Sequence, residues 1–255
     1  MTLLLLGGTG EAKQLASALH GLGVRLIYSI AGLVRTPALD CEVVTGGFRQ
    51  FGGLDVFIKA HQISAILDAT HPYAHKMSQQ ATLSAKNMGI PCWRFNRAPW
   101  QPQADDNWHE YANWQALLSA IGTKKSVFLS AGQLPPAVCE GLSAYAKDGQ
   151  RQLLRTALNP TTNLPKNMTW VKAIGPFSQQ AETDLLRAHK IDCLVSKNSG
   201  GAATWQKILA ARALNVPVYL LQRPLLAPAT EEFNDLKSCE DYVAHCFKKR
   251  IYKKD

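Results

Sequence analysis

The chain has 255 residues, of which 46% are hydrophobic, and a formal net charge of +9. This length allows one large or two small globular domains, and no apolar run is long enough to predict a membrane span. The six cysteines form no C-x-x-C pair, so the sequence predicts reduced thiols in a cytoplasmic protein rather than a zinc knuckle or a redox dithiol.

The first half of the chain alternates strand-like and helix-like segments, which predicts a parallel sheet with helices on its faces. The predicted strands are Leu3–Leu6, Arg25–Ile30, Glu42–Thr45, Ala65–Leu67 and Cys92–Phe95. The predicted helices lie near Glu11–His20, Leu54–His61 and His75–Asn87.

Residues 97–108 are rich in proline, tryptophan and polar residues, which indicates a crossing into a second domain. The alternation then resumes, with strands at Ser126–Leu129, Gln152–Thr156, Thr169–Ile174, Ile191–Val195 and Val216–Leu221 and helices near Asn113–Ala120, Ser178–His189 and Ala203–Ala213. We therefore predict an α/β protein with two Rossmann-like three-layer domains, mainly parallel sheets and a ligand cleft between them. The predicted domains are residues 1–98 and 99–247, followed by a solvated basic tail at 248–255.

The glycine-rich turn after the first strand predicts a nucleotide site. Turn glycines let backbone N–H groups approach a phosphate, and the N-terminus of the following helix favours its negative charge. We expect Gly8, Thr9, Gly10 and Glu11 to lie at the pyrophosphate of a dinucleotide. Lys13 stands where the full G-x-G-x-x-G fingerprint has its third glycine, so an ordinary strand-to-helix turn is the alternative.

The residues after the second predicted strand bear on the choice of cofactor. NAD-specific sites often place an acidic residue there to bind the ribose 2′-hydroxyl, and this chain has none between residues 29 and 35. Ser29 and Arg35 could instead hold a 2′-phosphate, which favours NADPH, with NADH as the alternative. Arg35 as a plain surface residue fits the sequence nearly as well.

Polar residues follow the fourth predicted strand, where ligands of parallel sheets bind. Thr70 is a candidate cap or ligand donor, and His71 and Tyr73 could hydrogen-bond a ligand or move a proton. A purely structural role in shaping the loop is the alternative for each. Asp68, which ends the strand, could tie the same loop down.

Two loops of the second half carry the remaining candidates. Lys197, Asn198, Ser199, Gly200 and Gly201 follow a strand and precede a helix, which is typical of an anion cradle built from backbone donors and a lysine. Gly175 and Phe177 likewise precede a helix that begins near Ser178. Strand exits and helix caps are the alternative interpretation. The Lys197 loop offers only neutral acceptor side chains, so we predict no metal site.

Seven segments in this order resemble the precorrin-6A reductase family of cobalamin biosynthesis. They are LLLLGGTGEA at 3–12, SIAGLVRTPAL at 29–39, GGF at 46–48, DATHPYA at 68–74, GPF at 175–177, SKNSGG at 196–201 and QRP at 222–224. The likeness spans roughly residues 1–225, and the fourth and sixth segments are its most specific parts. Arg49-Gln50-Phe51 departs from the more glycine-rich continuation that we expect after GGF.

The resemblance implies a reductase that passes a hydride from NADPH or NADH to precorrin-6A and forms precorrin-6B. It implies a polycarboxylate tetrapyrrole as substrate. We expect Gly175, Phe177 and residues 197–201 to bind this substrate, with cofactor phosphate as the alternative ligand of the Lys197 loop. His71 and Tyr73 are the candidate proton donors because their loop follows a strand of the first domain. The basic body of the chain agrees with an anionic ligand, whereas basic and aromatic residues do not interleave as in nucleic-acid binders.

Three further alternatives remain at this point. The chain resembles the members with a metal-free substrate more than those of the anaerobic route, which reduce cobalt-precorrin-6A. A non-catalytic NAD(P)-binding sensor or tetrapyrrole carrier of the same fold is the rival from another class. We expect a monomer or a weak oligomer.

Overall fold

In the computed structural model, which describes residues 1–31, 37–104 and 106–251, the chain forms two compact units. One unit consists of Met1–Ala98 and the segment that begins at Pro224, and the other is Pro99–Arg223. Residues 224–247 therefore belong to the first unit, which corrects the predicted second domain of 99–247. Within the described residues, no helix is both long enough and apolar enough to cross a membrane.

The first unit is a parallel six-stranded sheet between helices. Its strands are β1 (Thr2–Leu6), β2 (Leu26–Ile30), β3 (Glu42–Thr45), β4 (Ile63–Asp68), β5 (Cys92–Phe95) and β12 (Glu231–Phe233). Its helices are α1 (Gly10–Gly21), α2 (Leu54–Ala60), α3 (His75–Met88) and α8 (Leu236–Ile251), with a 3-10 turn at Phe48–Phe51. The strand order β12-β5-β4-β1-β2-β3 reverses direction between β1 and β4, as in doubly wound folds.

The second unit repeats this plan. Its strands are β6 (Trp108–Tyr111), β7 (Ser126–Ser130), β8 (Arg151–Thr156), β9 (Met168–Lys172), β10 (Cys193–Lys197) and β11 (Val218–Leu221). Its helices are α4 (Trp114–Ile121), α5 (Pro136–Lys147), α6 (Gln179–Ala188) and α7 (Gln206–Ala213), with a 3-10 turn at Ala202–Thr204. All pairs are parallel in the order β6-β11-β10-β7-β8-β9, so the reversal lies between β7 and β10.

The four leucines of β1 show why apolar runs predicted these strands. Leu3 and Leu5 pack in the cluster that α1 and α8 share, whereas Leu4 and Leu6 pack on the opposite face with α2 and α3. A parallel strand covered on both faces needs apolar side chains throughout rather than alternation. The predicted α/β class with parallel sheets is confirmed.

The end of the chain differs from the prediction. Helix α8 extends to Ile251, so residues 248–251 are helical and not a separate tail. Its apolar residues Cys239, Val243 and Phe247 recur at helical spacing and pack into the core beside α1. The short strand β12 escaped prediction because its sequence, Glu-Glu-Phe, is mostly acidic and its first two residues are exposed.

Candidate functional site

The glycine-rich turn is held from below by Tyr28 of β2. Its phenol oxygen accepts a hydrogen bond from the backbone N–H of Gly8 at 3.0 Å. A Cβ placed on Gly7 would lie 2.2 Å from the Tyr28 ring, so only glycine fits there. Gly8 has φ +112°, a conformation that favours glycine, and a Cβ there would meet open space. Gly8 thus contributes backbone shape and room for a ligand, while its N–H is used inside the protein.

Thr9 joins this turn to helix α1 and to β4. Its side-chain oxygen accepts from the backbone N–H of Ala12 at 3.0 Å and donates to the carbonyl of Ala69 at 3.1 Å. Thr9 is therefore the N-cap of α1. The helix begins at Gly10, where a Cβ would also meet open space. The first N–H groups of a helix have no partner inside the helix, so this end suits an anion.

A cavity of about 290 Å³ lies beside the glycine-rich turn. It brings together four of the predicted site residues, Gly8, Ser29, Thr70 and His71, from the carboxyl ends of β1, β2 and β4. The remaining lining residues are Leu6, Gly7, Ile30, Ala31, Gly46, Gly47, Phe48, Ala74 and Met77. An apolar cavity next to a glycine turn and a helix N-terminus, at the reversal of strand order, fits part of a dinucleotide cofactor.

Glu11 in the first turn of α1 forms an ion pair with Arg97, with 2.6 Å between Oε2 and Nη1. Burial of the carboxyl opposes its ionisation, but the hydrogen bond and the charge of Arg97 outweigh it and hold the pKa of Glu11 below its ordinary value. The carboxylate would repel a nearby phosphate, and Arg97 offsets that repulsion. Arg97 is a residue that the sequence analysis did not single out.

The loop after β4 is fixed by a buried ion pair. Asp68 and Arg94 are 1% and 2% exposed, and Arg94 Nε lies 3.3 Å from Asp68 Oδ2. Asp68 Oδ1 accepts from both the hydroxyl of Thr70 at 2.7 Å and its backbone N–H at 3.2 Å. Arg94 also binds Glu232 of β12 at 2.8 Å. This network holds Thr70 at the cavity, and an arginine within the apolar strand Cys-Trp-Arg-Phe was its signal in the sequence.

His71 and Tyr73 differ in their relation to the cavity. His71 is exposed and lines it, whereas Tyr73 is not among the lining residues. The backbone N–H of Tyr73 donates to His71 Nδ1 at 3.3 Å, which assigns the proton of a neutral ring to Nε2. Of the two candidates, His71 has the better placed side chain.

The remaining cofactor candidates are Ser29 and Arg35. Ser29 is buried at the end of β2 and lines the cavity. Arg35 lies outside the described residues.

In the Lys197 loop of the second unit, Lys197 ends a strand and Asn198 hydrogen-bonds to the backbone of a distant segment. Lys197 ends β10, and its burial lowers the pKa of its ammonium group. The side chain of Asn198 accepts from the backbone N–H of Trp100 at 2.8 Å and donates to its carbonyl at 3.1 Å. Arg223 donates to the Asn198 carbonyl at 2.9 Å. Asn198 thus links the start of this unit, at Trp100, to its last residue, Arg223.

The rest of the predicted second-unit residues lie in two turns. Ser199 is buried with its hydroxyl 3.2 Å from that of Thr204, Gly200 has φ +73°, and Gly201 precedes the 3-10 turn. Gly175 is exposed, and Phe177 stacks on the guanidinium of Arg155 at 4.0 Å from the ring centroid.

A buried charged cluster in the second unit was missed by the sequence analysis. It consists of Arg155 of β8, Glu182 of α6 and Lys207 of α7, grouped around Ser130 at the end of β7. In the sequence, the cluster could be noticed only because its three charged residues stand at positions where the strand or helix spacing predicts burial. Within the described residues, no group of three His, Cys, Asp or Glu side chains is arranged to hold a metal ion, and all six cysteines are free.

A family model and two curated relatives that match this chain are all described as precorrin-6 reductases. Residues 2–244 match the family model "Precorrin-6x reductase CbiJ/CobK". The chain is 41% identical to the precorrin-6A reductase of Rhodococcus erythropolis over 94% of this chain and 96% of that one, and 37% identical to that of Rhodobacter capsulatus over 95% of each.

The chain is also similar to a solved structure and to a more distant curated relative. The solved structure described as "CobK precorrin-6A reductase" superposes with a TM-score of 0.83 at 35% identity and covers 96% of each chain. The cobalt-precorrin-6A reductase of Priestia megaterium is 24% identical over 95% of this chain and 96% of that one.

Proposed function

Because the chain belongs to the precorrin-6x reductase family, we propose that it reduces precorrin-6A to precorrin-6B with a nicotinamide cofactor held at the glycine-rich turn of the first unit. The observation that carries the cofactor site is the cavity at the carboxyl edge of the first sheet. It joins the open space beyond Gly8 to an apolar wall, and helix α1 begins two residues after Gly8.

Different residues at and near the turn would contact or position different parts of the cofactor. The N-terminus of α1, at Gly10 and Glu11, offers backbone N–H groups and a favourable dipole for the pyrophosphate. Thr9 keeps that helix end in place through Ala12 and Ala69, and Arg97 neutralises Glu11 beside it. The cavity lined by Ser29, Thr70 and His71 would hold the adjoining part of the cofactor and exclude water from it.

A bound nicotinamide would supply a hydride for one carbon of a conjugated C=C–N system in the substrate, and a proton would have to reach the neighbouring carbon. His71 is our candidate for delivering that proton, directly or through a water molecule, since its side chain lines the cavity. Tyr73, whose backbone N–H fixes the His71 ring, is the second candidate.

We further propose NADPH as the preferred cofactor and a metal-free substrate. Support for NADPH comes from Ser29 at the cavity and from the lack of an acidic residue between residues 29 and 35. Support for the metal-free substrate comes from identities of 41% and 37% to precorrin-6A reductases, against 24% and 31% to two cobalt-precorrin-6A reductases. Substrate carboxylates would meet the second unit near Gly175, Phe177 and the Lys197–Gly201 loop. Six free thiols support a cytoplasmic setting.

The test is the absorbance of the reduced nicotinamide when the purified protein is mixed with NADPH and precorrin-6A. We expect loss of that absorbance with formation of one precorrin-6B for each NADPH consumed. Parallel reactions with cobalt-precorrin-6A should be slower. A protein that binds NADPH and yet reduces neither substrate would instead be a cofactor sensor or carrier.

A further inference from the structure

The interior of the second unit holds more positive than negative charge. Arg155, Glu182 and Lys207 are 9%, 2% and 5% exposed. Arg155 Nη2 lies 2.7 Å from Glu182 Oε1, so this pair is neutral as a whole. Among the described residues, Lys207 forms no ion pair with a carboxylate, and its Nζ lies 5.8 Å from the centroid of the Trp100 ring. A buried cation without a counter-ion is costly, so burial lowers its pKa, and an anionic ligand bound nearby would favour the charged form.

The ammonium group of Lys207 contacts Ser130. Its Nζ donates to the carbonyl oxygen of Ser130 at 3.1 Å and lies 3.2 Å from the Ser130 hydroxyl oxygen. Arg155 Nη2 lies 3.5 Å from the same hydroxyl oxygen, at the outer limit of a hydrogen bond. Arg155 and the protonated form of Lys207 are donors only, so the hydroxyl oxygen accepts from both of them while Lys207 carries its charge.

The hydroxyl hydrogen of Ser130 is therefore directed elsewhere. A serine hydroxyl has two acceptor positions and one donor, and the two cations occupy the acceptor side. The structure shows no acceptor for this hydrogen in the part of the chain that it describes. Ser130 is half-buried rather than enclosed, so its donor can reach a bound molecule.

The position of Ser130 in the sheet is where a doubly wound domain binds ligands. It is the last residue of β7 and pairs with Ser196 of β10, one residue before Lys197. Strands β7 and β10 flank the reversal of strand order in the second sheet. Ligands of such sheets bind beyond the carboxyl ends at that reversal.

We propose that Ser130 donates a hydrogen bond to a carboxylate of the tetrapyrrole substrate, with Lys207 and Arg155 as the positioning cations behind it. This proposal rests on the proposed function, since it takes the substrate class from there. An anionic oxygen is the acceptor that best matches a hydroxyl backed by two cations, because it compensates the charge that the protein leaves unpaired. The aromatic ring of Phe177 stacks on Arg155 and keeps the guanidinium in place.

The first experiment compares Ser130→Ala with Ser143→Ala, a matched variant of a half-buried serine in α5 that bonds to the Cys139 carbonyl. We expect Ser130→Ala to raise KM for precorrin-6A about tenfold, with kcat within about twofold and the Kd for NADPH unchanged. Ser143→Ala should behave as wild type. An unchanged KM in Ser130→Ala overturns the proposal while leaving the reductase function intact. Weaker NADPH binding with an unchanged KM also overturns it, because the anion would then be a cofactor phosphate.

A direct binding measurement separates this site from the reductase function. Uroporphyrin III, a tetrapyrrole octacarboxylate, is titrated into each protein and its absorbance band followed. We expect wild type and Ser143→Ala to bind it several-fold more tightly than Ser130→Ala, whether or not precorrin-6A is reduced. Equal binding by Ser130→Ala, or no binding by wild type, counts against the proposal.

The role of Lys207 has its own readout. Burial, together with the neighbouring cations Arg155 and Lys197, lowers the pKa of Lys207 to about 7, and Glu182 opposes this. The KM of wild type should therefore rise between pH 6 and pH 8 as Lys207 loses its proton. Lys207→Met should show a high KM at pH 6 with a flatter profile, whereas a purely structural lysine would leave the slope unchanged.

Discussion

The phenol oxygen of Tyr28 lies 3.0 Å from the backbone nitrogen of Gly8 and accepts its hydrogen bond. One donor of the glycine-rich turn is thus used within the protein, and the turn rests on a buried aromatic ring. Phosphate oxygens would then be bound by N–H groups that follow Gly8, at the start of α1. Tyr28 sets the shape of the turn, so changes at Tyr28 and Gly7 should be coupled.

We expect Gly7→Ala to destabilise the protein by about 1–3 kcal/mol, because its Cβ would lie 2.2 Å from the Tyr28 ring. In the Tyr28→Ala background the same change should cost at least about 1 kcal/mol less, because the clashing ring is gone. Urea unfolding of the four proteins measures this coupling. Additive costs would show that Tyr28 does not limit the space at Gly7.

Gly10→Ala should weaken NADPH binding about tenfold without lowering stability. A Cβ at Gly10 meets open space and alanine is the better helix former, so the added methyl group obstructs only a ligand. Gly21→Ala, at the other end of α1 and also in open space, is the matched control. Gly10 gives a cleaner test than Gly8, whose φ of +112° strains any side chain. If Gly10→Ala and Gly21→Ala have equal Kd values for NADPH, the cofactor phosphate does not bind at this helix end.

We expect wild type to bind NADPH at least about tenfold more tightly than NADH, and Arg35→Ala to lose affinity for NADPH alone. Ser29→Ala should weaken NADPH binding by a smaller factor, because serine offers one neutral hydrogen bond. Arg25→Ala, an exposed arginine at the opposite end of β2, controls for the general loss of charge. Fluorescence titrations with both cofactors decide this, and equal affinity of wild type for the two contradicts it.

Single-turnover reduction of precorrin-6A should be slower in His71→Asn, by about 100-fold if the imidazole delivers the proton. Tyr73→Phe should have a smaller effect, since Tyr73 does not line the cavity. His75→Asn, an exposed histidine at the start of α3, is the matched control. If His71→Asn and Tyr73→Phe both react at the wild-type rate between pH 6 and pH 9, the proton comes from another source.

Stability should depend on pH through Lys207. Its folded-state pKa of about 7 lies below the ordinary value of 10.5, so between these values the unfolded chain binds a proton that the folded chain does not. The free energy of unfolding therefore rises with pH in this range, and the full penalty is present below pH 7.

Lys207→Met removes this penalty. We expect its stability advantage over wild type to be largest near pH 6 and to shrink toward pH 10, as measured by urea unfolding of substrate-free protein. Lys147→Met, which replaces an exposed lysine of α5, should differ from wild type by a constant amount. An advantage of Lys207→Met that grows with pH would contradict the assigned burial.

Local patterns in the sequence were sufficient for the central elements of both sheets and for the glycine-rich turn. Strands such as β1 are apolar throughout because both faces of a parallel sheet are covered, and helices such as α1 show apolar residues at regular spacing. The same patterns indicated which loops lie at the carboxyl edges. These features depend on residues that are neighbours in the chain, so the sequence alone could predict them.

Contacts between distant segments were decided only by the tertiary structure. Strand β12 joins the first sheet beside β5, where Glu231 pairs with Trp93. There Arg94 binds Glu232, which lies 138 residues away in the chain. The cations behind Ser130 come from residues 25 and 77 positions away along the chain. Each of these side chains is an ordinary charged residue in its own segment. Its function depends on which other charge the fold buries beside it, and no local pattern records that.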